Sequence, residues 1–317
     1  MKKYLITGGA GFIGTAITKM LLKKNTYVRI LDNQFRGSVS NLPKNKNLEF
    51  IKGDIRDLST VKKACKQIDA IIHLAFINGT RYFYEKPYLV LDVGARGMLT
   101  VLDAARAEQV PELFLASSSE VYQKPPMIPT PEDVPYHIPA LYNPRYSYAS
   151  GKIISEFLSY YIGRTFLKKV VIFRPHNVYG QGMGREHVIP ELILKLLSSK
   201  GTKVNLPVQG TGKQTRAFIY VDDFVRALLL LLEKGRNGEI YNIGTEDEVS
   251  IERVTRLLSE ISGKSVKIIP SPLPEGSVLH RCPDIRKIKN LGFSPKVPLK
   301  EGLRNTYMWY NTQQYDH

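Results

Sequence analysis

The chain has 317 residues, 43% of them hydrophobic and 23% charged, which excludes a disordered chain and fits two lobes or one large α/β domain with an appended piece. Its two cysteines, Cys65 and Cys282, are too few for a disulfide framework or a zinc site, and fit a reducing cytoplasm. Forty-five basic against 29 acidic residues leave a net charge of +16, but the lysines fall in scattered pairs such as Lys2/Lys3 and Lys168/Lys169, with no arginine-rich arm. The charge therefore argues for a solvated basic surface and small anionic substrates rather than a nucleic-acid partner.

An apolar strand begins at residue 3 with no apolar leader before it, and the longest apolar run, 227–232, is far too short to span a membrane. A cytoplasmic protein is expected. Strand-like runs follow at 3–7, 28–31, 48–52, 70–74, 113–117 and 170–174, with helical patterns at 12–24, 59–65, 90–107 and 148–164 between them. Short buried strands alternating with helices predict βαβ units and a parallel, doubly wound sheet, the Rossmann arrangement. After Arg174 the rhythm breaks. A helix is expected at 188–199, strand and turn at 201–212, a short strand and long helix at 218–233 and a strand at 240–243. A helix from Ser250, a strand at 266–269 and a final basic helix complete the tail. The division expected is a dinucleotide-binding domain from 1–175 with about 216–245, and a smaller C-terminal substrate-binding lobe from about 176–215 and 246–317. Seven prolines between 125 and 144 suggest a loop over a site.

The first strand runs into Gly8-Gly9-Ala10-Gly11-Phe12-Ile13-Gly14, which opens the first helix. Gly8 permits the tight turn, Gly11 lets backbone approach a pyrophosphate, and Gly14 lets helix and strand pack closely. Asp32 closes the second strand 24 residues after Gly8. A carboxylate there accepts from ribose hydroxyls and repels a 2′-phosphate, so NAD is expected over NADP, with Arg36 softening the preference. Phe12, Ile13, Asn33, Leu74, Ala75 and Ser117 are expected along the dinucleotide. Asp54 and Ile55, after the third strand, either flank the adenine or cap the next helix.

The fifth strand ends in Ser117-Ser118-Ser119-Glu120-Val121-Tyr122, and thirty residues after Ser118 comes Tyr148-Ala149-Ser150-Gly151-Lys152. Tyr and Lys four apart share a helix face, and an ammonium beside a phenol favours the phenolate. That makes a base able to take a hydroxyl proton while NAD takes a hydride.

The segments TGGAGFIG, GDIRD, IIHLA, SSSEVY, YSYASGK, RPHNVYG, QTRAFIYVDD and YNIG resemble, in order and over nearly the whole chain, the extended short-chain dehydrogenase/reductases that modify nucleotide sugars. The resemblance implies a catalytic triad of Ser118, Tyr148 and Lys152. It also implies a nucleotide-diphosphate sugar held by Ser118, Ser119, Asn177, His187, Val188, Arg216 and Arg281. A homodimer through helices 98–109 and 148–164 follows from it, with Ile154, Phe157, Leu158 and Tyr161 as candidate contacts.

Such enzymes oxidise a sugar hydroxyl, usually at C4, and then diverge. The expected reaction is epimerisation through a transient 4-keto sugar, with Glu120 as a second base. The alternative is a UDP-glucuronate-type decarboxylase, which SSSEVY and Arg281-Cys282-Pro283-Asp284-Ile285 resemble. Gly184-Arg185-Glu186-His187 and LKEGLRNTYMWY resemble a GDP-mannose 3,5-epimerase, in which Glu120 and His187 would be an acid–base pair. A dehydratase is less favoured, because Ser119 stands where dehydratases carry an Asp. A non-catalytic NAD-binding protein is the remaining alternative. His73 is expected near the cofactor and His176 along the substrate. No metal is expected, because the six histidines lack ligand spacing. The aromatics Tyr82, Phe83, Tyr84 and Tyr88 fit either a sugar-stacking loop or core packing.

Overall fold

In the first half of the chain most strands are followed by a helix that folds its apolar stripe back over the sheet, the strand Tyr27–Asp32 running on to the strand Leu48–Lys52 without an α-helix between them. The computed structural model describes residues 1–273 and 276–313. The elements of the first half are β1 (Lys3–Thr7), α1 (Phe12–Lys23), β2 (Tyr27–Asp32), β3 (Leu48–Lys52), α2 (Leu58–Cys65), β4 (Ala70–His73), α3 (Thr80–Glu85), α4 (Pro87–Ala107), β5 (Glu112–Ala116) and α5 (Ser147–Phe157). Then come β6 (Lys169–Pro175), β7 (Val178–Tyr179), α6 (Val188–Ser198), β8 (Lys203–Gln209), β9 (Thr215–Ala217), β10 (Ile219–Tyr220), α7 (Val221–Lys234) and β11 (Glu239–Ile243). The tail holds β12 (Glu248–Ser250), α8 (Ile251–Ser262), β13 (Ser265–Ser271), β14 (His280–Arg281), α9 (Arg286–Lys289) and α10 (Leu299–Gln313).

Seven strands pair in parallel in the order β11-β6-β5-β4-β1-β2-β3. Side chains alternate across the pleat, and both faces are buried. Ile6, Ile30, Ile72, Phe114 and Phe173 meet α1 and α7 on one face. Leu5, Leu31, Ile71, Leu113 and Ile172 meet α2, α4 and α5 on the other. Two hydrophobic layers thus clamp the sheet, which is the doubly wound arrangement expected from the alternating pattern.

The smaller layers are built from separate stretches of chain. β8 and β13 pair in parallel along their whole length, and β9 is flanked by β12 and β14. The segment 216–245 is accordingly shared: β11 joins the large sheet, while β9 pairs with the tail strands. Ser250 caps α8 by accepting a hydrogen bond from the Arg253 N–H at 3.1 Å, and Gly263 ends it in the left-handed region at φ 68°.

Two elements differ from expectation, and the aromatic stretch falls on one side of its open alternative, with Phe83 in the core. The helix expected at 148–164 is α-helical only to Phe157 and continues as a π turn over Leu158–Ile162. Ser155 and Ser159 donate to the carbonyls four residues back, at 2.8 and 2.5 Å, and compete with the helical ladder there. The aromatic stretch at 82–84 lies on the short α3, with Phe83 buried and Tyr84 and Tyr88 exposed. The proline-rich segment 125–144 does not roof the cleft described below, none of whose lining comes from it. It packs behind the site instead, exchanging backbone hydrogen bonds between Thr130 and residues 282 and 284. Among the described residues no helix is long and apolar enough to cross a membrane.

Candidate active site

After β1 the chain winds one way to β2 and β3, and after β3 it returns to β4 on the other side of β1. The connections thus leave the carboxyl ends of β1 and β4 in opposite directions, and a crevice opens there. A cleft of about 470 Å³ occupies it. Gly8, Gly11, Phe12, Ile13, Gly14, Asp32, Asn33, Asp54, Ile55, Leu74 and Ala75 line one end. Ser117, Ser118, Ser119, Glu120, Tyr148, Lys152, Asn177, His187, Val188 and Arg281 line the other.

The glycines at the first end have separate reasons. Gly8 has φ 71°, and a Cβ on it would sit 2.8 Å from the Ala75 backbone. A Cβ on Gly14 would sit 2.5 Å from Gly9 Cα, so only glycine allows α1 to lie against the turn. At Gly11 a Cβ would meet only the Gly8 carbonyl, at 3.4 Å, so what glycine leaves open there is the cleft itself. Gly11 is also the N-cap of α1 and provides no side-chain cap. The free N–H groups of the first turn therefore face the space a pyrophosphate needs, and a dinucleotide fits these residues.

Asp32 is buried and accepts from the Ala10 N–H at 3.0 Å and the Gln34 N–H at 2.7 Å. Its negative charge is thus built into the glycine turn. Arg36 also lines the cleft, where it donates to the Asn78 carbonyl and lies 4.0 Å from Glu186. Asp54 is not a helix cap; Asp57 caps α2 through the Ser59 N–H at 3.0 Å. Asp54 instead binds Arg56 and Asn33, and the Arg56 hydrogen bonds hold its carboxyl down at about 2.

At the other end α5 presents Tyr148 and Lys152 one turn apart. The Tyr148 ring lies between Phe83, stacked at 4.8 Å, and Phe76, edge-on at 5.2 Å. Burial raises its phenol well above the usual range, against a hydrogen bond with Ser118 and the charges of Arg36 and Arg281. The Lys152 ammonium donates to the Ala116 carbonyl at 2.7 Å, and burial lowers it to about 7. The ammonium points to the end of β5 and stands 5.8 Å from the centre of the Tyr148 ring. Ser118 opens a turn over Ser119–Tyr122 by accepting from the Glu120 N–H at 3.2 Å.

Glu120 forms an ion pair with Arg281 at 2.6 Å, and Arg281 also reaches Ser119 Oγ at 3.4 Å. Burial works to raise the Glu120 carboxyl, but Arg281, with Arg145 and Arg216 behind it, holds it down at about 2. His187 is the N-cap of α6, and burial together with Arg36 lowers it to about 4. Asn177, in the left-handed region at φ 41°, donates to the Ala217 carbonyl at 3.1 Å.

Arg216 acts through its charge on the Glu120 carboxylate, and its guanidinium donates to the carbonyls of Val278 at 2.7 Å and Thr215 at 2.7 Å. His176, expected along the substrate, does not line the cleft: it is 1% exposed, with Nε2 3.0 Å from Asn242 Oδ1. His73 sits beside the dinucleotide end, hydrogen-bonded to Thr7 Oγ1 at 2.8 Å and kept neutral by burial. Arg145 was missed by sequence reasoning although it stands three residues before Tyr148. It lines the cleft, and its buried Nε has no partner among the described residues. No group of three or more His, Cys, Asp or Glu among those residues is placed to hold a metal.

Behind the serines lies a buried polar network, also missed. Arg174 grips Glu156 with Nε at 2.9 Å and Nη2 at 2.7 Å, both side chains at most 2% exposed. Ser117 and Tyr136 donate to the same carboxylate, and Arg174 reaches Tyr122 at 2.8 Å. Tyr122 in turn donates to Asn242 at 2.7 Å. Glu156 is one turn beyond Lys152, so the network ties α5 to the ends of β5, β6 and β11.

Residues 4–244 match the family described as the NAD dependent epimerase/dehydratase family. The chain is 35% identical to a UDP-N-acetyl-alpha-D-glucosaminuronate decarboxylase of Bacillus cytotoxicus, over 99% of each chain. It superposes on UDP-glucose 4-epimerase of Thermotoga maritima, solved with UDP-glucose, at a TM-score of 0.89 with 29% identity, covering 98% of this chain and 99% of that one. A dTDP-glucose 4,6-dehydratase of Streptomyces venezuelae, solved with NAD bound, matches at a TM-score of 0.89 with 30% identity, covering 99% and 98%. The glycine turn, the parallel sheet and these matches converge: the chain belongs to the NAD-dependent epimerase/dehydratase family of extended short-chain dehydrogenase/reductases, enzymes of nucleotide-sugar chemistry, and its cofactor is NAD.

Proposed function

We propose that the protein oxidises the C4 hydroxyl of a nucleotide-diphosphate hexuronate and that the 4-keto acid so formed loses carbon dioxide in the cleft. The observation that carries this reading is the Glu120–Arg281 pair beside Tyr148 and Ser118. NAD held along Gly8–Gly14 and Asp32 would supply hydride-transfer chemistry and, in its oxidised form, a positive charge. Tyr148 takes the C4 hydroxyl proton with Ser118 as relay, and Lys152 supports the phenolate and holds the ribose.

The groups near the ketone favour decarboxylation. Proton exchange at C3 or C5 by a two-sided mechanism needs a base on one face and an acid on the other. Glu120 is held ionised and His187 is held neutral, so at neutral pH neither has a proton to give. Loss of carbon dioxide from a β-keto acid needs no acid in that step. The C5–C6 bond breaks and its electron pair passes into the C4–C5 enolate, where the protonated Tyr148 and Ser118 face the growing charge on O4. A proton from water then adds at C5, and as C4 is reduced Tyr148 returns its proton to O4. Arg281 and Arg145 supply cationic donors for an acidic sugar.

C4 epimerisation is the second reading. Tyr148, Ser118 and Lys152 suffice for it, and the likeness to the Thermotoga maritima epimerase supports it. Incubation with NAD and UDP-glucuronate or its 2-acetamido analogue decides by mass spectrometry. Loss of one carbon dioxide is expected. An isomer of unchanged mass that takes up no solvent deuterium would instead establish the epimerase. Arg281→Met is expected to stop carbon dioxide release while C4 oxidation still registers as NADH absorbance.

A homodimer and a cytoplasmic setting belong to the same reading. Leu99, Ile154, Phe157 and Tyr161 expose apolar surface on the α4–α5 side, at 40%, 39%, 48% and 67%. Leu158, expected with them, packs in part against the inner core layer. Both cysteines are buried free thiols.

The position of Asp32 also gives a measurable preference. Asp32→Asn keeps a side chain able to accept from the turn but removes the charge that a 2′-phosphate would meet. The ratio of NADP to NAD dissociation constants, from fluorescence titration, is expected to fall by about 10- to 100-fold.

A further inference from the structure

Phe76 follows β4 by three residues and enters none of the motifs above. Its ring fills a notch made by two glycines on neighbouring helices. A Cβ on Gly94 of α4 would lie 2.7 Å from the ring tip, and one on Gly151 of α5 would lie 2.9 Å from it. Both helices thus leave out a side chain where this ring enters, and the ring also forms part of the cleft wall. From the notch it meets both members of the Tyr148–Lys152 pair. Its ring meets that of Tyr148 at 5.2 Å between centroids and 82° between planes, and the Lys152 ammonium stands 4.1 Å from its centre.

Lys152 is 3% exposed, and among the described residues its ammonium donates a hydrogen bond to the Ala116 carbonyl. A cation withdrawn from water with so few acceptors is costly, and the negative face of an aromatic ring offsets part of that cost. We propose that Phe76 is a positioning residue for the catalytic pair, its face holding Lys152 in the charged form and its edge fixing the Tyr148 ring against the cleft. The proposal rests on the reading of Tyr148 and Lys152 as that pair. The titratable groups facing Lys152 are Glu156 on α5, which favours its charge, His73 at the end of β4, which is neutral, and Tyr148 itself. α4 contributes Gly94 and β5 a carbonyl, so no other carboxylate on these elements takes over the role of the ring.

The test separates shape from charge. Phe76→Leu removes the ring, and pentafluorophenylalanine at 76 keeps the ring shape while removing its negative face. In each variant the Lys152 titration is followed by NMR in ¹³C-lysine protein without cofactor, and kcat and KM are measured against pH in the holoenzyme. Both variants are expected to lower the Lys152 pKa by about one unit, corresponding to about tenfold in its protonation equilibrium. The alkaline limb of kcat should move down by the same amount, with KM within about twofold. A Lys152 titration and kcat–pH profile unchanged by the fluorinated ring would overturn the proposal, whatever Phe76→Leu does to folding. Lys152→Met tells the two failures apart: wild-type kcat in that variant would remove the catalytic pair itself, whereas an inactive Lys152→Met beside an unchanged fluorinated enzyme would remove only the part played by Phe76.

Discussion

Tyr148→Phe is expected to retain NAD and lose about 10³-fold or more in kcat, because one oxygen is removed from a ring that is otherwise fully supported. Phe83 and Phe76 hold the ring from two sides, and neither contact needs the hydroxyl. Thermal stability and NAD stoichiometry should therefore stay at wild-type values while product formation stops. Ser118→Ala should cost less, about 10- to 100-fold, since it removes a relay and leaves the base. The phenol is raised by burial, so it enters the reaction as a base only when positive charge is brought close, as in the loaded enzyme. A Tyr148→Phe enzyme with wild-type turnover would sink the assignment, and no fold defect could be blamed for that result.

The largest effect on stability is expected from Arg174→Met. The substitution leaves the Glu156 carboxylate almost fully buried with its charge no longer matched, a situation that costs about 3–5 kcal/mol. The melting temperature should fall by roughly 5–15 °C in calorimetry. The double variant Arg174→Met/Glu156→Met should recover much of the loss, because two apolar side chains need no counter-charge. Recovery of stability without recovery of kcat would identify what the ion pair contributes beyond packing. Glu156 accepts from Ser117, next to Ser118, and lies on the same helix as Tyr148 and Lys152, so the pair sets the spacing between the two halves of the proton relay.

The sheet was legible because its signals are local. Strands 3–7 and 48–52 coincide with β1 and β3, the strand expected at 70–74 differs from β4 by one residue at one end, and those expected at 28–31, 113–117 and 170–174 differ from β2, β5 and β6 by one residue at each end. The glycine turn was legible for the same reason: backbone conformation and close approach at Gly8 and Gly14 demand a residue type. Contacts between distant parts of the chain left no such trace. Glu156 and Arg174 read as a helix carboxylate and a strand-end arginine, and nothing within a few residues of either announces their union. The carbonyls that take the Arg216 guanidinium, at residues 215 and 278, were equally absent from the motif that drew attention to it. The proline run at 125–144 marked a loop correctly, but its composition carries no information about which side of the site it covers.

The pairing order of the large sheet has a consequence for synthesis. The strand at its centre, β1, is made first, and each later strand pairs with one already made: β2 on β1, β3 on β2, β4 on β1, β5 on β4, β6 on β5 and β11 on β6. A nascent chain released as far as Pro175 therefore owns six of the seven strands and the whole glycine turn, and no strand waits for a neighbour still inside the ribosome. The smaller layers follow the opposite schedule. β8 waits for β13 some sixty residues later, and β9 waits for β12 and β14. Growing chains of this protein thus acquire the architecture that receives the dinucleotide well before Arg281 arrives to meet Glu120, so an early-bound cofactor would act as a template on which the late-made lobe closes.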